Sequence, residues 1–230
     1  MKEKGLLSDR YRQFHEDREK HADFVYVPER VPHFVRAVGG PGKSVLDLGC
    51  RAGALSQHFL DGNDVTGMDV DEHALQFAAG RGLSTVWGDV EEPLPFEDGS
   101  FDAVVAGEIL EHVRFPDEVV GEIRRVLRPD GVVVGSVPNA FRLKNRLKFL
   151  VGRSPENNPM HLRMYSPASI RAELAPIGPA ELAFVGGRLV RLSGPLFANA
   201  LVFVARRGQS RESSASAVSR SPSSSSTDGS

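Results

Sequence analysis

Several things are scarce in this chain. One cysteine among 230 residues, Cys50, excludes an internal disulfide and a cysteine-rich zinc site, and inside a glycine turn it reads as a small buried filler rather than a nucleophile. No apolar run approaches the roughly 18 residues that span a bilayer. The charged N-terminus, MKEKGLLSDRYRQFHEDREKH, has no apolar stretch of the secretory kind, so a cytoplasmic protein without a transmembrane segment is expected. A cationic excess is missing too: residues 1–205 hold 24 Lys and Arg against 28 Asp and Glu, a net of −4, which argues against a nucleic-acid partner. A dinucleotide fingerprint is also missing. Counted from Gly49 it needs glycine at position 51, where Arg51 stands, and Asp47 before the turn repels a pyrophosphate, so a nicotinamide dehydrogenase is disfavoured. No internal repeat is found.

What is present centres on residues 45–56, VLDLGCRAGALS. An apolar β-branched run ends in Asp47, and the turn Gly49-x-x-x-Gly53 is expected to open a helix near 53–61. Glycines let the backbone approach a ligand, and a helix N-terminus offers N–H donors. An acid before such a turn suits a zwitterionic aminoacyl group, with its ammonium near Asp47 and its carboxylate near the turn amides. S-adenosylmethionine carries such a group.

Strands are predicted near 43–48, 64–69, 83–87, 101–106 and 131–137, with helices near 71–80 and 117–128. In the latter, Val119, Val120, Ile123, Val126 and Leu127 form one apolar stripe, with acids at its start and arginines towards its end, as the helix dipole favours. Such alternation gives an α/β, doubly wound, mostly parallel sheet with helices on both faces and ligands beyond the C-terminal strand ends, where Asp47, Asp69, Asp89 and Glu108 all lie. One or two helices are expected over 8–38, within an N-terminal helical cap of residues 1–40; Pro28 and Pro32 interrupt them, and Val31, Phe34, Val35 and Val38 have helical spacing. The main domain is expected over 41–206, with an insertion at about 139–166, a helix near 167–175 and two strands near 180–186 and 198–205. The tail, 207–230, is serine-rich and expected to be disordered.

The stretch around Asp47 resembles motif I of class I S-adenosylmethionine-dependent methyltransferases, D-x-G-x-G-x-G, of the type 11/23-like small-molecule kind. Asp47, Gly49 and Gly53 match it, and Arg51 replaces the middle glycine. Asp69 ends DVTGMD at the position that accepts the ribose hydroxyls. Asp89, in VWGDV, matches the position that hydrogen-bonds the adenine amino group. LPFEDGSFDAVVAGEILEHV resembles the fourth strand and its exit, and LRPDGVVVGSVPN a hairpin-like turn and the fifth strand. The resemblance implies a Rossmann-like seven-stranded sheet with an antiparallel last strand. It also implies S-adenosylmethionine as cofactor, bound by Asp47, Gly49, Arg51, Gly53, Asp69, Val70, Asp89 and Val90. Trp87 is expected in the core or in the wall of the adenine pocket.

Glu108-Ile109-Leu110-Glu111-His112 carries the catalytic expectation. On a helix, positions 108, 111 and 112 would share a face. Two carboxylates and an imidazole, with His161 as a fourth ligand, suit a divalent cation such as Mg²⁺ or Mn²⁺. E-x-x-E-H with a later histidine resembles the metal site of small-RNA 2′-O-methyltransferases, and quinone-biosynthesis O-methyltransferases carry a similar motif. The candidate metal ligands are thus Glu108, Glu111, His112 and His161, with Glu111, His112 and His161 as the catalytic residues. His112 alone as general base, or a purely structural role for the motif, are the competing readings. His15, His21, His33, His58 and His73 carry no functional expectation.

A hydroxyl acceptor, with its high pKa, needs such help more than an amine does, so O-methylation of a sugar-, nucleoside- or quinol-type hydroxyl is expected. The alternatives are metal-independent N-methylation of an amino sugar or natural product, and a cofactor-binding regulatory or partner subunit without catalysis. FRLKNRLKFLVGR (141–153) holds five cations and no acid. It reads as a cap greeting an anionic, lipid- or nucleotide-linked acceptor, as a basic amphipathic helix on a membrane surface, or as a solvated face. The same region resembles that of methionine-biosynthesis methyltransferase-like proteins and of sugar or antibiotic methyltransferases.

Overall fold

β-branched runs and amphipathic helices alternate along the chain, and the computed structural model, which describes residues 24–155 and 158–208, folds them into one seven-stranded sheet. The strands are β1 (Ser44–Leu48), β2 (Asp64–Asp69), β3 (Ser84–Trp87), β4 (Phe101–Gly107), β5 (Leu127–Pro138), β6 (Ala180–Val185) and β7 (Ala200–Arg206), in the order β3-β2-β1-β4-β5-β7-β6. β1 to β5 pair in parallel; β7 runs antiparallel between β5 and β6. The strand order reverses at β1 and β4, and a crevice opens there beyond the strand ends.

The helices are α1 (Val31–Val38), α2 (Glu72–Gly80), α3 (Pro116–Val126), α4 (Leu143–Leu150), α5 (Pro167–Leu174) and the short α6 (Gly194–Phe197). Strand alternation decides which layer each side chain joins. Leu46, Leu48 and Val104 face a core shared with Val119, Val120 and Ile123 of α3 and Ile170 and Leu174 of α5. Val45, Val65, Val105 and Val134 face the other way, onto Phe34 and Val38 of α1 and Leu75 and Ala78 of α2. The apolar spacing in α1 thus places Phe34 and Val38 inside, while Val35 is exposed.

The helix expected near 53–61 does not form. A turn leads into a single 3₁₀ turn, Ser56–His58, because Gly53 sits at φ 75° and Phe59 leaves helical geometry at φ −134° to bury its ring. β5 starts at Leu127 rather than near 131, continuing through an irregularity where Asp130 adopts φ 64°. The expectations for residues 8–23, including His15 and His21, and for the tail from 209 onward lie outside the described residues. Among the described residues no helix is long and apolar enough to cross a membrane.

Candidate functional site

At the C-terminal strand ends lies a cavity of about 980 Å³, at the upper end of the range for small-molecule sites. Asp47, Gly49, Arg51, Asp69, Val70, Asp89 and Val90 line it, as do Glu108, Glu111, His112 and His161. Gly53 does not. Its left-handed φ turns the chain back instead, packing against Leu83 and α2. Trp87 is absent from the cavity lining as well; its indole N–H donates to the Val70 carbonyl (2.9 Å) and its ring joins the core on the α1/α2 side.

The turn is held from within. Gly49 and Cys50 N–H both donate to Met68 O, and Arg51 N–H donates to the Asp69 carboxylate at 2.8 Å. These three amides are spent on the fold, so the expected meeting of a ligand carboxylate with them is not supported. Arg51 takes the left-handed φ of 49° that a glycine would adopt without strain. Gly49 also takes a left-handed φ, 68°, and a Cβ there would press on Ile109 Cδ1, inside the E-x-x-E-H segment, and force that side chain to shift. Cys50 is buried, with Sγ filling the space beside Gly67, and burial pushes its thiol pKa up, so it is a filler.

Three layers of acid result. Asp69 is buried and accepts from Arg51 and Asp71 N–H (2.9 Å); burial raises its pKa and those two donors oppose the rise. Each of its oxygens keeps a further lone pair. Asp89 accepts from Glu91 N–H at 3.0 Å. Asp47 accepts from the Ser56 hydroxyl. Its burial raises the carboxyl to about 7 despite that bond and the charge of Arg30.

A raised carboxyl favours the fold while protonated. Its contribution is full below the unfolded value of 3.8 and is lost as pH rises towards about 7. We therefore expect melts of the ligand-free protein to show Asp47→Asn gaining on the parent as pH rises from about 4 to about 7, with the gain levelling off above that and little difference below about 4. Parallel curves would remove Asp47 from this account.

The E-x-x-E-H segment is not helical. Glu108 turns out of β4 at φ 61°, a conformation costing roughly 1–2 kcal/mol for a side chain with a Cβ. Leu110 and Val113, both buried, pin the following turn into the core. His112 N–H closes that turn on Ile109 O. The acids still converge. Glu108 accepts from Ser136 Oγ (2.7 Å) and Arg30 Nη1 (3.3 Å), and Arg30 also donates to Ser136 at 2.6 Å. Glu111 is 1 % exposed, and neither of its oxygens meets an N–H or hydroxyl donor among the described residues; the group within its hydrogen-bond reach is the Glu108 carboxyl. Burial, then the neighbouring Glu108, holds its pKa well above the usual carboxylate range. Burial also raises Glu108, and Arg30 and Ser136 oppose that.

His161 is delivered from far along the chain. Leu162 N–H donates to Glu111 O (2.8 Å), Arg163 donates to the Val113 and Arg114 carbonyls, and Tyr165 OH reaches Leu110 O (3.4 Å). This staple brings the His161 ring edge-on to His112, centroids 4.7 Å apart. His112 Nδ1 lies 3.0 Å from Met160 O. A carbonyl can only accept, so Nδ1 carries the proton and Nε2 keeps its lone pair, 3.9 Å from Glu111 Oε1. One ligand atom each of Glu111, His112 and His161 lies within 4.8 Å of the others. Glu108 is not part of that group; its carboxyl accepts from Arg30 and Ser136 and lies beside Glu111.

Arg30 escaped the sequence analysis. It is 5 % exposed, lies over the Phe34 ring, and its charge opposes the upward shifts of Asp47, Glu108 and Glu111. Nothing in PERVP distinguishes it from a surface arginine. On the far wall Arg142, Asn145 and Lys148 face the cavity from α4. Asn145 Nδ2 donates to Ala140 O, and its buried Oδ1 has no partner among the described residues.

Comparison with known proteins identifies the family. Residues 46–135 match the family model described as a methyltransferase domain. The ubiquinone biosynthesis O-methyltransferase of Dechloromonas aromatica is 32 % identical over 170 residues, 67 % of this chain and 73 % of the relative. A probable S-adenosylmethionine-dependent methyltransferase of Mycolicibacterium smegmatis is 34 % identical over 140 residues, 60 % of this chain and 52 % of that one. Among solved structures, a SAM-dependent methyltransferase of Archaeoglobus fulgidus superposes with TM-score 0.65 at 18 % identity, over 86 % of this chain and 99 % of the other. A Burkholderia thailandensis 1,6-didemethyltoxoflavin-N1-methyltransferase, solved with S-adenosylhomocysteine, gives 0.62 at 21 %, over 89 % and 88 %. The two solved structures share the fold. Taken with the relative that matches across two thirds of its length, they establish that this chain belongs to the class I S-adenosylmethionine-dependent methyltransferases.

Proposed function

We propose that this methyltransferase acts on a hydroxyl of a small sugar-, nucleoside- or quinol-type acceptor, assisted by a divalent cation held by Glu111, His112 and His161. The observation that carries this reading is Glu111: a buried carboxyl that meets no N–H or hydroxyl donor, beside a second carboxyl and two imidazoles, one with Nδ1 on Met160 O and Nε2 towards Glu111. A buried unpartnered carboxylate costs several kcal/mol, roughly, unless it is protonated or meets a cation. The donor set of one carboxylate and two imidazoles suits zinc, iron or Mn²⁺; Mg²⁺, which takes oxygen ligands, fits it less well. The name of the D. aromatica relative supports O-methylation.

The cofactor's sulfonium supplies an electrophilic methyl, and a bound cation would lower the pKa of the acceptor hydroxyl and orient its oxygen. The chain's own residues do the rest. Asp69 would accept the ribose hydroxyls through its remaining lone pairs, and Asp89 and Val90 would face the adenine. Gly49, Arg51 and Val70 would line the cofactor's path. Asp47 would meet the ammonium, which restores the charge that burial suppresses; binding should then release a proton and strengthen as pH rises through about 7. Arg142 and Lys148 on the far wall would receive an anionic group of the acceptor, and Asn145 Oδ1 would accept from one of its hydroxyls. Alignment, rather than covalent chemistry, is the protein's main contribution.

The test is calorimetric titration of S-adenosylhomocysteine, then of Mn²⁺, into chelator-treated protein in buffers of different ionisation enthalpy. Homocysteine-adduct binding with proton release, and Mn²⁺ binding that strengthens with pH and disappears in His161→Ala, are expected. Mn²⁺ binding indifferent to His161 would overturn the metal assignment. His112 Nε2 would then remain as a general base, fixed in the required tautomer.

A further inference from the structure

Helix α4 is built inside out. At helical spacing Arg142, Asn145 and Lys148 share the face that lines the cavity, where an ordinary surface helix would bury leucines. Leu143, Leu147 and Leu150, at i, i+4 and i+7, form the opposite stripe and point to solvent. Leu143 is 36 % exposed, Leu147 53 % and Leu150 78 %, and Val151, just beyond the helix, is 70 % exposed. The stripe is flanked by exposed cations, Lys144 on one side and Arg146 on the other, with Arg153 just beyond the helix. No water-facing role explains three exposed leucines aligned on one helix face, and apolar stripes of this kind mark interaction surfaces.

The charge pattern says what covers them. Residues 139–155 contain no acid, and neither do residues 182–208, in a chain that is net negative overall. The second stretch adjoins the first: α6 packs on α4, and Arg142 Nη1 donates to Asn199 Oδ1 at 2.6 Å. It adds exposed Arg188, Leu189, Arg191 and Leu192. An apolar stripe bordered by cations, within a region free of acids, complements an anionic lipid surface: the apolar chains enter the headgroup boundary and the cations meet phosphates.

We propose that α4 docks the enzyme on an anionic membrane surface through its outward leucine face. The opposite face of the same helix lines the cavity, so docking brings the acceptor wall next to the lipid. This inference concerns the outer face and stands independently of which atom is methylated.

The experiment is co-sedimentation of the full chain with phosphatidylcholine vesicles and with vesicles that also contain phosphatidylglycerol. Binding at least about tenfold stronger to the anionic vesicles, weakened by salt, is expected. A Leu147→Glu/Leu150→Glu variant should lose it. Both positions are exposed, so the circular dichroism spectrum and S-adenosylhomocysteine binding should be unchanged. In Leu150→Trp, vesicles should shift the emission to the blue, whereas charge attraction alone would leave the indole in water. Absence of vesicle binding, or binding that survives the double substitution, would overturn the proposal. A concentration-dependent dimer abolished by the double substitution, without vesicle binding, would assign the face to a second copy of the chain instead.

Discussion

Glu111→Gln should cut turnover by about 10²–10⁴-fold while leaving S-adenosylhomocysteine affinity nearly unchanged. The substitution keeps the shape of the side chain and removes only its ability to be an anion. If Glu111 serves as a ligand for a cation or takes the acceptor proton, that ability is the whole of its role. Stability should move the other way. The parent carboxyl is buried against the Glu108 carboxyl with no N–H or hydroxyl donor, and its pKa is raised. Its stabilising effect is complete below the usual glutamate range and is lost as pH rises towards the elevated folded value. The chelator-treated variant should therefore melt no lower than the parent at neutral pH and higher at alkaline pH. Turnover is to be measured on whichever quinol-, sugar- or nucleoside-type acceptor the parent methylates. Unchanged turnover would remove Glu111 from the mechanism. Loss of turnover with a collapse in melting temperature would make its role structural.

Arg30→Met should destabilise the protein by about 3–5 kcal/mol, the usual result of removing one partner from a buried charge pair. Arg30 donates to Ser136 and Glu108 and opposes the upward pKa shifts of Glu108, Glu111 and Asp47. Methionine keeps most of the volume and the contact with Phe34 but leaves those acids without a cation. Glu108 would then rise further. The deficit should be smallest at acid pH, where the carboxyls carry protons, and should grow as pH rises. Urea titrations at two pH values measure both terms. Equal losses at both would mean that packing, rather than charge, is what Arg30 provides. Arg30→Lys should recover part of the stability, since it restores the charge without the planar fork.

The two predictions concern residues that were legible to different degrees. Glu111 stood out as part of a spaced motif, and its place in the sequence survived even though the assumed helix did not. The motif works as a turn because Leu110 and Val113 bury themselves between the polar positions, and because Glu108 leaves β4 in a left-handed conformation. Local pattern could not distinguish that turn from a helix, since both bring positions 108, 111 and 112 close together. Arg30 was illegible because a charged residue between prolines reads as surface; only the packing of α1 across β4 and β5 drives it into the crevice.

The sequence by itself determined the strands, the doubly wound order and the place of Asp47, Asp69 and Asp89 at strand ends, because hydrophobic period and glycine turns act over a few residues. It also supplied the basic, acid-free composition of 139–155. Tertiary structure decided the rest. It spent the amides of the glycine turn on Met68 and Asp69, shortened the following helix to one turn, and tied Glu108 to Arg30 and Ser136. It carried His161 to His112 through a backbone staple, and it turned α4 so that its leucines face out. Each of these depends on which surfaces remain uncovered once the sheet has formed, and burial costs between residues distant in the chain leave no mark in local spacing.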